Sequence, residues 1–368
     1  MAPEPPPLRQ TKASTLKDVA KLAGVSVSTT SRALGGHPAI TAATVAKVRA
    51  AAEQVHYRPN AQARALRAAR TGTIGLTIPS VINPYFAALA AAVQQAAGRA
   101  QLATILFNSN ENADDLSRAL QVLQDHRVDG IIAVPHEDNL EQLAATRNRG
   151  VPIVLADREL PGTDIPSVSS DPAPGMNAAV SHLAAQGHRS IGYLAGPLNT
   201  STGRYRLSVF EAAATAARLP GQPVYHGGYQ QSQGYAGTGE LLDRGVSAII
   251  AGDSMMTIGA LEACHERQLK VGTDIALIGF DDNPVFRLQA APLTVIDQNV
   301  TELGIRSFEV LQDLMSGKSP PTITRLPTTL RIRDSSGPPP EHSAASTTPP
   351  PLPDVKEGGA EFHERSSH

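Results

Sequence analysis

Cysteine is nearly absent: Cys264 is the single one in 368 residues, so no internal disulfide can form. No stretch is apolar enough to span a bilayer. Met1–Ser14 is rich in proline and lacks the apolar run of a secretory signal. These absences predict a protein of the reducing cytoplasm with no membrane partner. Catalytic signatures are missing too. There is no Gly-x-Ser-x-Gly elbow, no phosphate-loop Gly-x-x-x-x-Gly-Lys and no cluster of metal ligands. Gly234, Gly237 and Gly239 are too loosely spaced for a dinucleotide fingerprint, and His363 and His368 lie in the tail without metal-binding partners. The sequence therefore predicts no enzyme, no cofactor and no metal. Cys264 sits in the helical pattern Gly259–Gln268 beside His265 and reads as a packed small hydrophobe.

What is present is unevenly distributed. The net charge of −2 hides a basic head: residues 1–71 carry eleven Lys and Arg against three acids, or +8. The other 21 basic and 31 acidic side chains leave −10. A basic end on an acidic body points to a polyanionic partner. Residues 1–14 read as a disordered arm, 15–57 as a helical domain, 58–71 as a short basic helix, 72–334 as an α/β core and 335–368 as a disordered tail.

In the head, Thr15-Leu-Lys-Asp18 has the form of a capping box, and Leu16, Val19, Ala20 and Ala23 follow at helical spacing. Gly24-Val-Ser26 supplies a turn, with Ser26 placed to cap a second helix reaching about Leu34. A third helix from near Thr41 carries Val45, Val48, Ala52 and Val55 on its inner stripe and should stop at Pro59. Two short helices joined by a glycine turn and closed by a third predict a helix-turn-helix unit. Asn60 can cap a further helix bearing Arg64 and Arg67. On it, Leu66 either packs against the core or wedges between base steps of a minor groove.

In the core, short apolar strands alternate with helices. Ile74–Ile78, Ala103–Phe107, Gly130–Val134, Ile153–Ala156, Ile191–Leu194, Ala248–Ala251, Ala276–Phe280 and Thr294–Ile296 read as strands. Such alternation predicts parallel sheets covered on both faces, and so many strands fit two doubly wound subdomains side by side. Ligands of such sheets bind beyond the carboxyl ends of the strands. Asp157 and Arg158, Asp253, and Asp281 with Asp282 fall there, although an Asp at a strand end is more often a turn or cap residue.

Residues 15–71 resemble the DNA-binding head of the LacI/GalR (lactose/galactose repressor) family. The resemblance rests on Leu16-Lys-Asp-Val-Ala-Lys-Leu-Ala-Gly-Val-Ser26, Thr29-Thr-Ser-Arg32, and Tyr57-Arg-Pro-Asn60 with Ala63-Arg-Ala-Leu66. The core resembles the type I periplasmic-binding-protein fold through Asn83-Pro-Tyr-Phe86, Val128-Asp-Gly130, Gly187-His-Arg189, Leu194-Ala-Gly-Pro197, Gly203-Arg-Tyr-Arg206 and Gly279-Phe-Asp-Asp282. The resemblance implies a transcriptional regulator, most simply a repressor, acting as a homodimer on double-stranded operator DNA. DNA contacts then fall to Thr15, Leu16, Ser26, Val27, Ser28, Thr29, Ser31, Arg32, Tyr57, Asn60, Ala63 and Leu66, with Val27 and Ser28 at base edges and Leu66 the minor-groove wedge. A small-molecule effector falls to Tyr85, Phe86, Asp157, Arg158, Arg206, Tyr229, Asp253 and Asp281. Acids, an arginine and an aromatic face suit a polyhydroxylated ligand such as a sugar, while a purine would also use an aromatic stack. Tetrameric family members append an amphipathic helix; a tail with Pro338-Pro-Pro340 and Pro349-Pro-Pro351 and no heptads implies a dimer.

Two positions depart from the family pattern. Thr30 stands where a buried valine is usual, and its hydroxyl could bond back to the Ser26 carbonyl. Gly252 stands where an asparagine often precedes the aspartate. A secreted solute-binding protein would share the core fold, but it would need a signal segment and no basic helical head.

Overall fold

The computed structural model describes residues 14–57 and 70–340. The head is three helices: α1 (Leu16–Ala23), α2 (Val27–Leu34) and α3 (Ala42–Gln54). Asp18 reaches back to accept from Thr15 N at 2.8 Å, the returning arm of the expected capping box. Gly24 ends α1 with φ 60°, and Ser26 Oγ accepts from Thr29 N at 3.0 Å to start α2. Val19, Ala23, Ala33, Val48, Ala51 and Ala52 form the buried centre of the head. Thr30 is buried among them, and its hydroxyl donates to Ser26 O at 3.0 Å, the bond that its sequence position suggested. Helix α3 stops well before Pro59. His56 takes φ 49°, with His56 N bonded to Glu53 O and Tyr57 N to Ala52 O, so a left-handed turn ends the helix. Asn60, Ala63 and Leu66 lie outside the described residues.

The first core subdomain is built on β1 (Thr73–Ile78), β2 (Ala103–Asn108), β3 (Gly130–Ala133), β4 (Ile153–Asp157) and β5 (Ser167–Asp171). Between them run α4 (Pro84–Arg99), α5 (Ala113–Asp125) and α6 (Leu140–Asn148). The second holds α7 (Ala173–Gln186), β6 (Ile191–Ala195), α8 (Ser201–Ala216), β7 (Val224–His226), α9 (Gln231–Asp243), β8 (Ala248–Ala251), α10 (Ser254–Glu266), β9 (Ala276–Phe280) and β10 (Thr294–Asp297). The chain then returns to the first with α11 (Val300–Met315) and β11 (Ile323–Pro327), and crosses back for β12 (Thr329–Arg331).

The sheets run β2-β1-β3-β4-β5-β11 and β7-β6-β8-β9-β10-β12, one strand order used twice. Every pairing is parallel except β10 with β12. Continuous apolar strands such as β3 and β8 are buried because helices cover both sheet faces. The two expected doubly wound subdomains are therefore present, joined by three crossings: Asp171 to Ala173, Asp297 to Val300 and Pro327 to Thr329. The core extends past the boundary expected at 334, since Ser335 and Ser336 are buried and Ser335 Oγ donates to Leu277 O at 2.6 Å. Of residues 58–71, Arg70 and Thr71 are described and are not helical.

Candidate functional site

On the head, the first turns of α2 face outward. Val27 is 41% exposed, Ser28 and Arg32 are exposed, and Thr29 and Ser31 are half-buried. An apolar side chain left open at a helix start, beside short hydroxyls and an arginine, can meet thymine methyls and base edges. Ser26 is committed to the cap and also bonds Ser28 Oγ at 2.8 Å. Thr15 is exposed at the start of α1, while Leu16 and Tyr57 are half-buried, Tyr57 against the centre of the head.

The second site lies where the carboxyl ends of both sheets meet. Asp157 ends β4 and Asp281 follows β9, the fourth strand in each sheet order. Both take left-handed backbone, φ 68° and 66°. Non-glycine residues hold that conformation only where their surroundings fix it, and such strain gathers at functional sites. Tyr85 OH donates to Asp157 Oδ1 at 2.7 Å, and Ser254 Oγ donates to Asp281 Oδ2 at 2.5 Å. Arg206, in the second turn of α8, donates to Gly252 O at 2.7 Å and to Gln298 Oε1 at 2.8 Å. Its guanidinium lies over the Phe280 ring, 4.3 Å from the centroid. Gln298 sits on a crossing strand end and ties the cluster together: its amide donates to Asp281 Oδ1 at 2.5 Å, and Ser170 donates to its carbonyl at 2.6 Å.

Electrostatics follow from this burial. Burial pushes the Asp281 carboxyl up to about 6 against the pull of Ser254, Arg206 and Gln298. Burial raises Asp253 as well. Tyr85 is held well above the usual tyrosine value by burial and by the facing Asp157 and Asp281. Burial opposes the charge on Arg206, but Tyr229, Asp157 and Asp281 outweigh it and raise its pKa.

The remaining predicted residues take different places. Asp253 caps α10 through Met256 N at 2.8 Å and also accepts from Asn83 Nδ2 of the other subdomain at 3.2 Å, so it serves both as cap and as bridge. Tyr229 is half-buried, bonded to Thr202 at 3.1 Å, with its ring 5.9 Å from Arg206. Phe86 packs in the first subdomain's core and meets Tyr85 edge-on, 5.1 Å between centroids. Arg158 turns away and grips Glu111 at 2.6 and 2.8 Å. Asp282 pairs with Arg287 and Arg333, each at 2.7 Å. Gly252 is explained by crowding: a Cβ there would lie 2.4 Å from Leu194 O, and its bare carbonyl is the group Arg206 uses. Sequence reasoning missed Gln298, Ser254 and Asn83, although each also lies at a strand's carboxyl end.

Clefts open on both sides of this cluster. One of ≈ 420 Å³ is lined by Asp157, Ser170, Ser201, Tyr205 and Arg206, the other of ≈ 340 Å³ by Tyr85, Ser254, Asp281 and Asn283. One guanidinium, three carboxylates, two amides and several hydroxyls converging there can bond paired hydroxyls in fixed directions.

Comparison with known proteins places both sites in context. Residues 15–60 match the family described as bacterial regulatory proteins, lacI family, and residues 180–336 match a periplasmic binding protein-like domain. The chain is similar to the ribose operon repressor of Escherichia coli K12, 32% identical over 305 residues, or 81% of this chain and 92% of that one. It is similar in structure to a probable LacI family transcriptional regulator from Corynebacterium glutamicum, 49% identical with a TM-score of 0.68, covering 71% of this chain and 98% of that one. It also superposes on the lac repressor dimer bound to operator and the anti-inducer ONPF, at TM-score 0.79 and 28% identity, covering 89% of this chain and all of that one.

Proposed function

The chain belongs to the lacI family of bacterial regulatory proteins, and from that premise we propose that it is an operator-binding repressor governed by a neutral, polyhydroxylated effector. The observation that carries the reading is the joined cluster of Arg206, Asp281, Gln298, Asp157 and Tyr85 at the carboxyl ends of both sheets. A polyol ring fits that donor and acceptor set better than a purine, because charged, amide and hydroxyl groups there outnumber the rings of Phe280, Tyr85, Tyr205 and Tyr229.

In this reading α2 enters the major groove, with Val27 and Ser28 at base edges and Arg32 on the same face. A homodimer presents two such helices to successive half-sites. Leu66 is the minor-groove wedge; it adds no charge, so Leu66→Ala weakens operator binding far more than binding to random DNA. The protein works in the cytoplasm as a binding module, not as an enzyme. Among the described residues no helix is long and apolar enough to cross a membrane.

The test has two arms. Binding-site selection from a random duplex library should return a two-fold symmetric sequence. Thermal-shift screening with neutral sugars and with nucleobases should find a stabilising sugar, since a ligand at a hundred times its Kd adds about 2.7 kcal/mol. Stabilisation by nucleobases alone would replace the effector assignment and leave the DNA reader standing.

A further inference from the structure

The first core subdomain has a face that neither site uses. It lies at the amino-terminal end of β1, where the chain arrives from the linker. Thr71 N and Gly72 N there donate to the two oxygens of Asp129 at 2.7 and 2.8 Å, and Thr71 Oγ1 donates to Arg127 O at 3.1 Å. A groove of ≈ 430 Å³ opens on this face, with Arg70, Arg127 and Arg149 in its lining and Asp129 as its acid. Both Asp129 oxygens are taken by the arriving backbone. Among the described residues none of the three guanidinium groups is in an ion pair: Arg70 bonds Met315 O at 3.0 Å and Arg149 bonds Gln124 Oε1 at 2.7 Å.

Arg127 and Arg149 follow the ends of α5 and α6, where a cation complements the helix dipole. That effect does not explain Arg70, nor why three arginines share a groove with a single acid where a basic linker joins. Residues 58–69 add Arg58, Arg64 and Arg67. Three guanidinium groups against one carboxylate leave the groove with an excess of positive charge, which an added anion would offset. A twelve-residue linker reaches at most about 40 Å, so the end of the head that holds the duplex cannot lie farther than that from the groove. The chain beyond residue 71 carries a net −10, which on balance disfavours contact with DNA, so a basic groove on it stands out.

We propose that this arginine groove holds the phosphate backbone of the duplex outside the sequence that the head reads. The groove then adds affinity without sequence preference and fixes how the core sits over the DNA. The proposal rests on the DNA-reading assignment above.

The probe is the duplex sequence that the full-length protein enriches from a random library, prepared as the bare site and with ten further base pairs on each side. Wild type should bind the longer duplex about tenfold more tightly at 0.1 M salt, and Arg127→Ser/Arg149→Ser should lose that gain. Its slope of log K against log salt should shrink by about 0.9 for each phosphate no longer neutralised. Arg127→Lys/Arg149→Lys should keep the gain, and unchanged melting temperature and subunit mass show that each variant folds. Equal loss on both duplexes, or no flank gain in wild type, overturns the proposal. Pyrophosphate that raises the melting temperature of wild type but not of the serine variant, with no flank effect, assigns the groove to a free anion and overturns it as well. Failure of wild type to enrich any sequence removes the DNA-reading assignment, and this proposal falls with it.

Discussion

At the scale of single residues, Asp281 holds the sharpest conflict between stability and binding. Its carboxyl is buried and pushed up to about 6, so the folded chain holds a proton there that the unfolded chain, near 3.8, gives up. The sign follows. Stability from this group is fully present below the unfolded pKa and is lost as pH rises through about 6, at a cost of roughly 3 kcal/mol by linkage. Asp281→Asn keeps the shape, tolerates φ 66°, can accept from Gln298 through its carbonyl and can donate to Ser254. The variant should melt higher than wild type at pH 7.5 and show a shallower change between pH 4.5 and 7. It should also lose most effector affinity, because a ligand hydroxyl no longer meets a carboxylate. Melting curves across that range check this, and a variant that melts lower at pH 7.5 with the wild-type slope sinks it. Asp253, raised by burial in the same sense, leaves a residual slope. Asp281 was legible from sequence because a charged residue at a strand end stands out, whereas Arg206, inside α8, was named only through the family resemblance. Gln298 was not legible, since a neutral amide gains meaning only when the third dimension sets it between Arg206, Ser170 and Asp281.

At the scale of elements, legibility followed side-chain chemistry. The eight apolar strands were readable within a residue or two. Strand β5 was not: Ser167-Val-Ser-Ser-Asp171 looks like a loop, yet its serines are buried because Thr322 O, Glu159 Oε1 and Gln298 Oε1 accept their hydroxyls. Edge strands β7, β11 and β12 have exposed faces and weak patterns, and nothing local tells that α11 and β11 return to the first subdomain. Of the three glycines that failed as a nucleotide fingerprint, Gly234 serves helix packing and Gly237 makes room for Tyr225. They lie inside α9, which packs closely on α10: a Cβ on Gly234 would lie 2.4 Å from Met256 O, and one on Gly259 2.0 Å from Gln231 O. Gly259→Ala must push this helix pair apart and should cost about 1–3 kcal/mol. Denaturant titration measures it, and a cost below a few tenths would contradict the packing. In the head, Ser26→Ala removes the cap of α2 and should cost about 1 kcal/mol of head stability. If α2 must be preformed to read bases, operator affinity measured by titration should fall by no more than that loss of stability.

At the scale of the whole molecule, three crossings join the two sheets, a connection that suits hinge closure, and the bonds across the cleft would then limit how far it closes. Those bonds fall into two kinds. Tyr85–Asp157 and the Arg206–Gln298–Asp281 chain occupy groups that the proposed effector would engage, so in that reading binding exchanges one partner for another. At the rim, Arg204 pairs with Glu137 of the other subdomain at 2.5 Å, and Glu159 N donates to Ser201 Oγ at 3.0 Å. Glu159, Ser201 and Arg204 line the ≈ 420 Å³ cleft but take no part in the Arg206–Gln298–Asp281 chain, so their bonds favour the closed form wherever a ligand leaves them in place. Both Arg204 and Glu137 are partly exposed, which limits the pair to about 1 kcal/mol or less, or up to about fivefold in a closure equilibrium. Glu137→Gln and Arg204→Ala should therefore each weaken effector binding by up to about fivefold. Because the two side chains act as one pair, the double variant should do no more than either alone. Small-angle scattering should report a larger radius of gyration for these variants without effector, and saturating effector should restore the wild-type value. DNA affinity should move only through that equilibrium, so any change in repression must vanish when effector saturates all forms. Additive losses in the double variant would show that Arg204 and Glu137 act separately, and an unchanged scattering curve would show that the rim pair does not set closure.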